Sequence, residues 1–282
     1  MRVTRLPPNL LGRDFIIGDL HGHYDTLMSL LDARDFDREI DRVISVGDLV
    51  DRGPQSWLCL QLIREPWFYV VQGNHESHLL DMARAVSGAL AKGRKAVDIL
   101  DSLQRFIDGV DGHWFREWLL DEGNHAELPA LIELLDSLPH VITVRGGATD
   151  YNVVHAELPA AGIECDDQLE SSDPAMDVVR TQALMWSRKL FLEASKAPRE
   201  QLESHRYVPK GCLSLTFCGH NPISLPTIWR DHFFLDTGCG YQDGEIPVLD
   251  DQIGLTVCIL PKRELVLVQY RQGFAITLPH AV

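Results

Sequence analysis

The chain predicts an α/β fold: a sheet backed by helices, with a second sheet packed on it. Two patterns carry that expectation. Short β-branched or aromatic runs, suited to buried strands, repeatedly end in a polar residue, and stretches of helical periodicity lie between them. Beyond Arg199 the pattern changes to alternation, as in strands of a packed sheet. With 282 residues, 45% apolar and 24% charged, the chain can bury a full core and carries no disordered or fibrous bias. One domain over residues 1–282 is expected.

In order, strands are predicted at Phe15–Ile17, Arg42–Val46, Phe68–Val71, Tyr151–Val154, Leu213–Phe217 and Phe233–Leu235. They run on into Gly18-Asp19, Gly47-Asp48, Gly73-Asn74, His155, Gly219-His220 and Asp236-Thr237-Gly238. Ligands of open α/β sheets gather beyond the carboxyl ends of strands, so these continuations point to a single site. Leu27, Leu30 and Leu31 recur at helical spacing, as do Leu128, Leu131, Ile132, Leu135 and Leu138. Residues 77 to about 139 read as a helical insertion, with Leu100, Leu103, Phe106 and Ile107 on one face and turns at Asp108-Gly109 and Glu122-Gly123. Leu255, Val257 and Ile259, followed by Leu265, Leu267 and Tyr270 around Pro261–Glu264, predict a hairpin belonging to the second sheet. The acidic stretch Glu164–Asp177 reads as a solvated loop or as a flap that meets a basic substrate.

A formal charge of −15 gives a field that repels phosphate backbones, which argues against a generic nucleic-acid binder and against docking on anionic membranes. The six cysteines form no C-x-x-C pair and no apolar run resembles a signal peptide or a membrane span, so reduced thiols and a cytoplasmic location are expected. No heptad seam speaks to oligomeric state.

Three clusters behind predicted strands hold the chemistry: Asp19-Leu20-His21-Gly22, Gly47-Asp48-Leu49-Val50-Asp51-Arg52-Gly53 and Gly73-Asn74-His75-Glu76. Carboxylates, imidazoles and an amide together suit a pair of divalent cations. Asp19 and His21 would hold the first. Asp48 is the natural bridge, because one carboxylate can offer an oxygen to each ion. Asn74, His155 and His220 would complete the second, leaving positions for a water acidified enough to attack phosphorus. His75 follows a ligand and is better placed as general acid over the leaving-group oxygen, with Asp51 favouring its imidazolium. Arg52 offers a planar fork for phosphoryl oxygens and Arg188 is a second clamp. His78, His113, His125, His140, His205, His232 and His280 lack such context and read as surface or packing residues.

The three clusters, followed by the single histidines His155 and His220, resemble the signature of the phosphoprotein phosphatase family of metallophosphoesterases. Glu65-Pro66-Trp67-Phe68, Trp186-Ser187-Arg188 and Leu235-Asp236-Thr237-Gly238 resemble the branch of the bacteriophage lambda protein phosphatase and bacterial serine/threonine protein phosphatases. That resemblance implies a central β-sandwich of mixed sheets flanked by helices. It implies two divalent ions, manganese first among manganese, iron, zinc and magnesium. It also implies hydrolysis of phosphoserine or phosphothreonine in phosphoproteins or phosphopeptides, with phosphotyrosine and small aryl phosphates accepted. In the family, positions matching Asp19, His21, Asp48, Asn74, His155 and His220 bind metal, and those matching Asp51, Arg52, His75 and Arg188 serve catalysis and phosphate binding. Two departures, Asn221 after the last histidine and Glu157 after His155-Ala156, bear on substrate fit. The alternative is a symmetrical diadenosine tetraphosphate hydrolase or another small-nucleotide phosphohydrolase; those relatives share the metal motifs but typically replace the aspartate matching Asp51 with alanine. A non-catalytic binding protein would be expected to lose ligands, and all six are present.

Overall fold

A computed structural model describes residues 1–169, 174–197, 211–241, 253–262, 264–269 and 274–277. Its centre is a pair of stacked sheets. One sheet runs β1 (Val3–Leu6), β5 (Val141–Val144), β6 (Tyr151–Val154), β7 (Leu215–Cys218), β9 (His232–Phe234) and β8 (Thr227–Trp229). The other runs β12 (Phe274–Thr277), β11 (Glu264–Gln269), β10 (Leu255–Leu260), β2 (Asp14–Ile17), β3 (Arg42–Ser45) and β4 (Phe68–Val70). Strands β2, β3 and β4 are parallel, as are β6, β7 and β9, so their carboxyl ends emerge on one side and carry the polar clusters there together.

Period-two alternation explains the layering. Phe15 and Ile17 of β2 and Val43 of β3 face a core beneath the helices. Ile16 and Ile44, one residue out of step, face the other sheet and meet Val153, Phe217, Phe233 and Cys258. Helices α1 (Tyr24–Ala33) and α2 (Ser56–Gln61) cover the first core through Leu27, Leu30, Leu31, Cys59 and Leu60. On the outer face of the opposite sheet, α7 (Pro174–Trp186) and α8 (Lys189–Ala194) close a third cluster through Leu184 and Leu190.

Several expectations are corrected. The hairpin β10–β11 extends the sheet of β2, with Val257 opposite Ile17 and Cys258 opposite Ile16, instead of joining the second sheet. All of β10 is buried, because Val257 and Ile259 face the helical core while Cys258 and Leu260 face the sandwich. The second sheet is built from the strands that end near His155 and His220, with β1, β5 and β8 added. The insertion consists of α3 (Asn74–Leu90), α4 (Ala96–Val110), α5 (His113–Leu120) and α6 (Leu128–Ser137), so Asn74 and His75 sit on the first turn of a helix. Its turn falls at Asp111-Gly112, where Asp111 takes the left-handed conformation (φ 54°), and Gly109 stays inside α4.

Asp166 of the acidic stretch is not a solvated loop residue. It accepts from Asn152 Nδ2 (3.0 Å) and Ser214 Oγ (2.6 Å) and pairs with Arg145 (3.1 Å). Its own N–H donates to the Cys212 carbonyl (3.1 Å), which brings Cys165 and Cys212 together, and these two form a disulfide. The expectation of reduced thiols is thus corrected at this pair, of which a sequence separation of 47 gave no sign; Cys59, Cys218, Cys239 and Cys258 are buried thiols. Pro174–Asp177 opens α7, while Glu170–Asp173, Arg263, Tyr270, His205 and His280 lie outside the described residues.

Candidate metal centre and active site

The loops after β2 and β3 are laced together by backbone bonds: Leu20 and His21 N–H donate to the Asp48 carbonyl, and Gly22 N–H to that of Leu49. Turning the side chains inward requires unusual backbone. His21 (φ 42°), Asp48 (51°), Asp51 (72°), Arg52 (65°) and His220 (65°) all occupy the left-handed region, at roughly 1 kcal/mol or more each. Such strain persists where surrounding contacts over-determine it. Gly73 and Gly219 serve a related need, since a Cβ on either would collide with the carboxylates of Asp48 and Asp19.

Two groups of buried donors converge, His21–Asp48–His75 and Asp48–His155–His220, each with its ligand atoms within 4.8 Å of one another. Asp48 belongs to both. Its Oδ2 lies 3.8 Å from His21 Nε2, 3.9 Å from His75 Nε2 and 3.4 Å from His155 Nε2, and its Oδ1 accepts the His75 N–H at the start of α3 (3.0 Å). Burial works against its charge, but His155, His75 and His21 hold the carboxyl below its ordinary value.

The donor set fits cations. The Nδ1–H groups of His21 and His155 donate to the carbonyls of Val50 and Val46, each at 2.8 Å, which fixes the tautomer and leaves both Nε2 lone pairs pointing inward. His155 Nε2 then stands 2.7 Å from Asn74 Oδ1, lone pair against lone pair, an arrangement that a shared cation relieves. His220 has Nδ1 2.8 Å from the same oxygen, and its buried Nε2 has no hydrogen-bond partner among the described residues. Burial depresses the basicity of His21 and His155 and brings His220 down to about 3, which favours the neutral form that can offer a lone pair. Asp19 stands apart from both groups. It accepts the His220 N–H, and burial with the neighbouring Asp236 and Asp48 charges raises its carboxyl well above the usual range.

His75 points Nδ1 at Asp51 Oδ2 (2.6 Å) and turns Nε2 to the metal side. Burial opposes its protonation, yet Asp48 and Asp51 raise its basicity above the ordinary value. Arg52 directs Nη1 at His21 Nε2, with its guanidinium carbon 4.0 Å from the Tyr241 ring centre. Arg188 is exposed, and its Nη1 donates to Asn221 Oδ1 (3.0 Å). Neither arginine pairs with a carboxylate among the described residues. Arg52, but not Arg188, lines a cleft of about 220 Å³ that is walled by Trp186, Tyr241, His78 and the end of α4. His78 packs on Phe106 and Trp186, so it belongs to this wall.

The motifs alone leave several residues here unassigned. Glu76 is fully buried and accepts three backbone N–H groups, those of Leu49 (2.7 Å), Asp48 (2.8 Å) and Gly73 (2.9 Å). Burial and then the Asp48 charge push it up to about 7. Burial likewise pushes Asp236 up to about 6. The two departures from the family pattern both brace the Arg188 segment: Asn221 holds the guanidinium, and Glu157 accepts from Ser187 Oγ (2.5 Å) and Leu190 N–H (2.6 Å). Glu76 and Asp236 stand within the motif and strand-end patterns, but Tyr241 has no sequence signal.

Imidazoles and carboxylates sharing Asp48 at the ends of strands from two stacked sheets define the class: a metallophosphoesterase, a metal-dependent hydrolase of phosphate esters. The chain belongs to the calcineurin-like phosphoesterase family, whose sequence model matches residues 15–245. It is 31% identical to serine/threonine-protein phosphatase 1 of Salmonella typhimurium over 224 residues, 79% of this chain and 85% of that one. A symmetrical bis(5'-nucleosyl)-tetraphosphatase of Dechloromonas aromatica is 40% identical over 107 residues, 37% of this chain and 36% of that one. Among solved structures, a protein provisionally assigned as a diadenosine tetraphosphatase shares the fold at TM-score 0.56 and 22% identity, covering 99% of this chain and 97% of that one.

Proposed function

We propose that this enzyme is a protein phosphatase that hydrolyses phosphoserine or phosphothreonine in phosphoproteins and phosphopeptides, with phosphotyrosine and small aryl phosphates as further substrates. The observation that carries the reading is Asp48 shared by two groups of buried donors, His21–Asp48–His75 and Asp48–His155–His220, with His75 hydrogen-bonded to Asp51. Asp19, His21, Asp48, Asn74, His155 and His220 would hold two divalent ions, manganese by preference. Bound there, the ions supply Lewis-acid polarisation of the phosphoryl group and a water acidified for attack. The remaining work falls to the protein's own side chains. Arg52 and Arg188 bind the phosphoryl oxygens and orient phosphorus for in-line displacement. His75, charged with the help of Asp51, gives the Nε2 proton to the leaving seryl or threonyl oxygen.

The similarity to a protein phosphatase over 85% of its length, against 36% for the Dechloromonas aromatica tetraphosphatase, supports this substrate class, and the presence of Asp51 agrees with what the family resemblance implies. A cytoplasmic location without nucleic-acid or membrane partners belongs to the same proposal, consistent with the charge of −15. No helix among the described residues is long and apolar enough to cross a membrane. The test is metal-stripped enzyme rebuilt with single cations and offered a phosphoserine peptide, a phosphodiester and diadenosine tetraphosphate. Fastest release from the peptide with manganese is expected; faster cleavage of the dinucleotide would transfer the assignment to the nucleotide phosphohydrolases.

A further inference from the structure

The α4–α5 turn reaches back from the helical insertion into the catalytic centre. Trp114 Nε1–H donates to Asp51 Oδ1 at 2.7 Å, across 63 residues of sequence, while Oδ2 of the same carboxylate takes His75 Nδ1. Beside it, the Arg52 N–H donates to the carbonyl of Asp111 (3.1 Å), and a Cβ on Gly112 would lie 3.3 Å from Asp51 Oδ1. Asp51 is fully buried, and its own N–H is held by Ser56 Oγ (2.9 Å).

From this geometry we propose that Trp114 is a positioning residue for the His75–Asp51 pair, so that the insertion completes the active site as well as walling it. The inference rests on the reading of His75 as general acid. A carboxylate torsion is broad and nearly two-fold, so a single bond to His75 would leave Asp51 free to rock. The indole N–H occupies Oδ1 and fixes the plane, which holds Oδ2 against Nδ1 and aims Nε2 into the cleft. Buried networks of this kind lose orientation when one member is removed, even when the rest of the fold stands.

The experiment compares leaving groups in the manganese-loaded enzyme. An acid matters most when the departing oxygen is strongly basic, as in a phosphoserine peptide, less for phenyl phosphate and least for 4-nitrophenyl phosphate. Trp114→Phe keeps an aromatic ring beside Phe115 and removes the donor together with part of the indole's bulk. The expected result is a kcat loss of about tenfold on the peptide and about twofold on 4-nitrophenyl phosphate, with KM and bound metal unchanged. Trp114→His, which retains a ring N–H, recovers part of the peptide rate, and Trp114→Phe added to His75→Asn costs nothing further. Equal losses on all three substrates, or additive losses in the double variant, overturn the proposal. If His75→Asn shows the leaving-group dependence and Trp114→Phe does not, Trp114 has no such role and the general-acid reading stands. If His75→Asn shows none, both fall together.

Discussion

Replacing Glu76 by Gln tests how the second and third motifs are held in register. The carboxylate sits with no solvent exposure at the meeting point of three N–H groups, Oε1 taking Leu49 and Oε2 taking Asp48 and Gly73. A glutamine oxygen in the Oε2 position keeps two of these bonds, but its amide nitrogen then faces the Leu49 N–H, donor against donor. One buried N–H left without an acceptor costs about 1–3 kcal/mol, and the stranded amide a similar amount. The sum, about 2–6 kcal/mol, is a large share of the ~5–15 kcal/mol that typically holds a folded protein. Urea unfolding of the chelator-treated enzyme, followed by tryptophan fluorescence, measures this without a contribution from metal binding. Because the Asp48 backbone is one of the three clients, metal affinity should fall as well. A midpoint shift equivalent to less than about 0.5 kcal/mol, with metal affinity intact, would refute the reasoning.

Other expectations follow from the same geometry. His75→Asn should slow turnover of phosphopeptides by about 10²–10⁴-fold while bound metal, measured by elemental analysis, stays near the wild-type level. Asn221→Ala frees the Arg188 guanidinium and should raise KM for phosphate esters by up to about tenfold, the equivalent of one hydrogen bond, with a smaller change in kcat. Removing metal should abolish activity and lower the melting temperature; at a free metal concentration a hundred times Kd the bound ion adds about 2.7 kcal/mol. His232, away from the metal groups, accepts the Leu158 N–H, and burial brings it down to about 3. Between pH 6.5 and about 3 the unfolded chain therefore binds the extra proton, so this part of the stability is present near neutrality and lost as pH falls. Acid titration of His232→Gln should show a shallower loss over that window.

Much of the fold was legible because parallel, doubly buried strands leave plain traces in sequence. Phe15–Ile17, Arg42–Val46 and Phe68–Val71 are apolar runs that end in polar clusters, and α1 and α6 show their buried stripes directly. Sheet membership was not legible. Leu255, Val257 and Ile259 alternate in the text as a half-buried strand would, yet β10 is buried on both faces because Cys258 is small and apolar enough for the sandwich. The strands β1 and β8 carry polar residues within their short runs (Thr4 and Arg5; Thr227) and so lack a plain apolar signal, whereas β5 (Val141–Val144) is as long and as apolar as β2 and was readable. The proposed ligands and catalytic groups stand in local motifs or at strand ends, while several contacts that brace them join residues far apart in the chain. Trp114 meets Asp51, and Glu157 meets Ser187, only after the chain has folded. The Cys165–Cys212 link was missed for the same reason.

The central claim is that Asp48 joins two cation sites into one centre, and counting ions addresses it most directly. Titration calorimetry of chelator-treated protein with manganese, checked by elemental analysis, should give two ions per wild-type chain. In Asp48→Asn the neutral amide can no longer screen two dications from each other, and the tightly bound pair should be lost along with phosphate release. Two ions retained at wild-type affinity in Asp48→Asn, with turnover intact, would contradict the account.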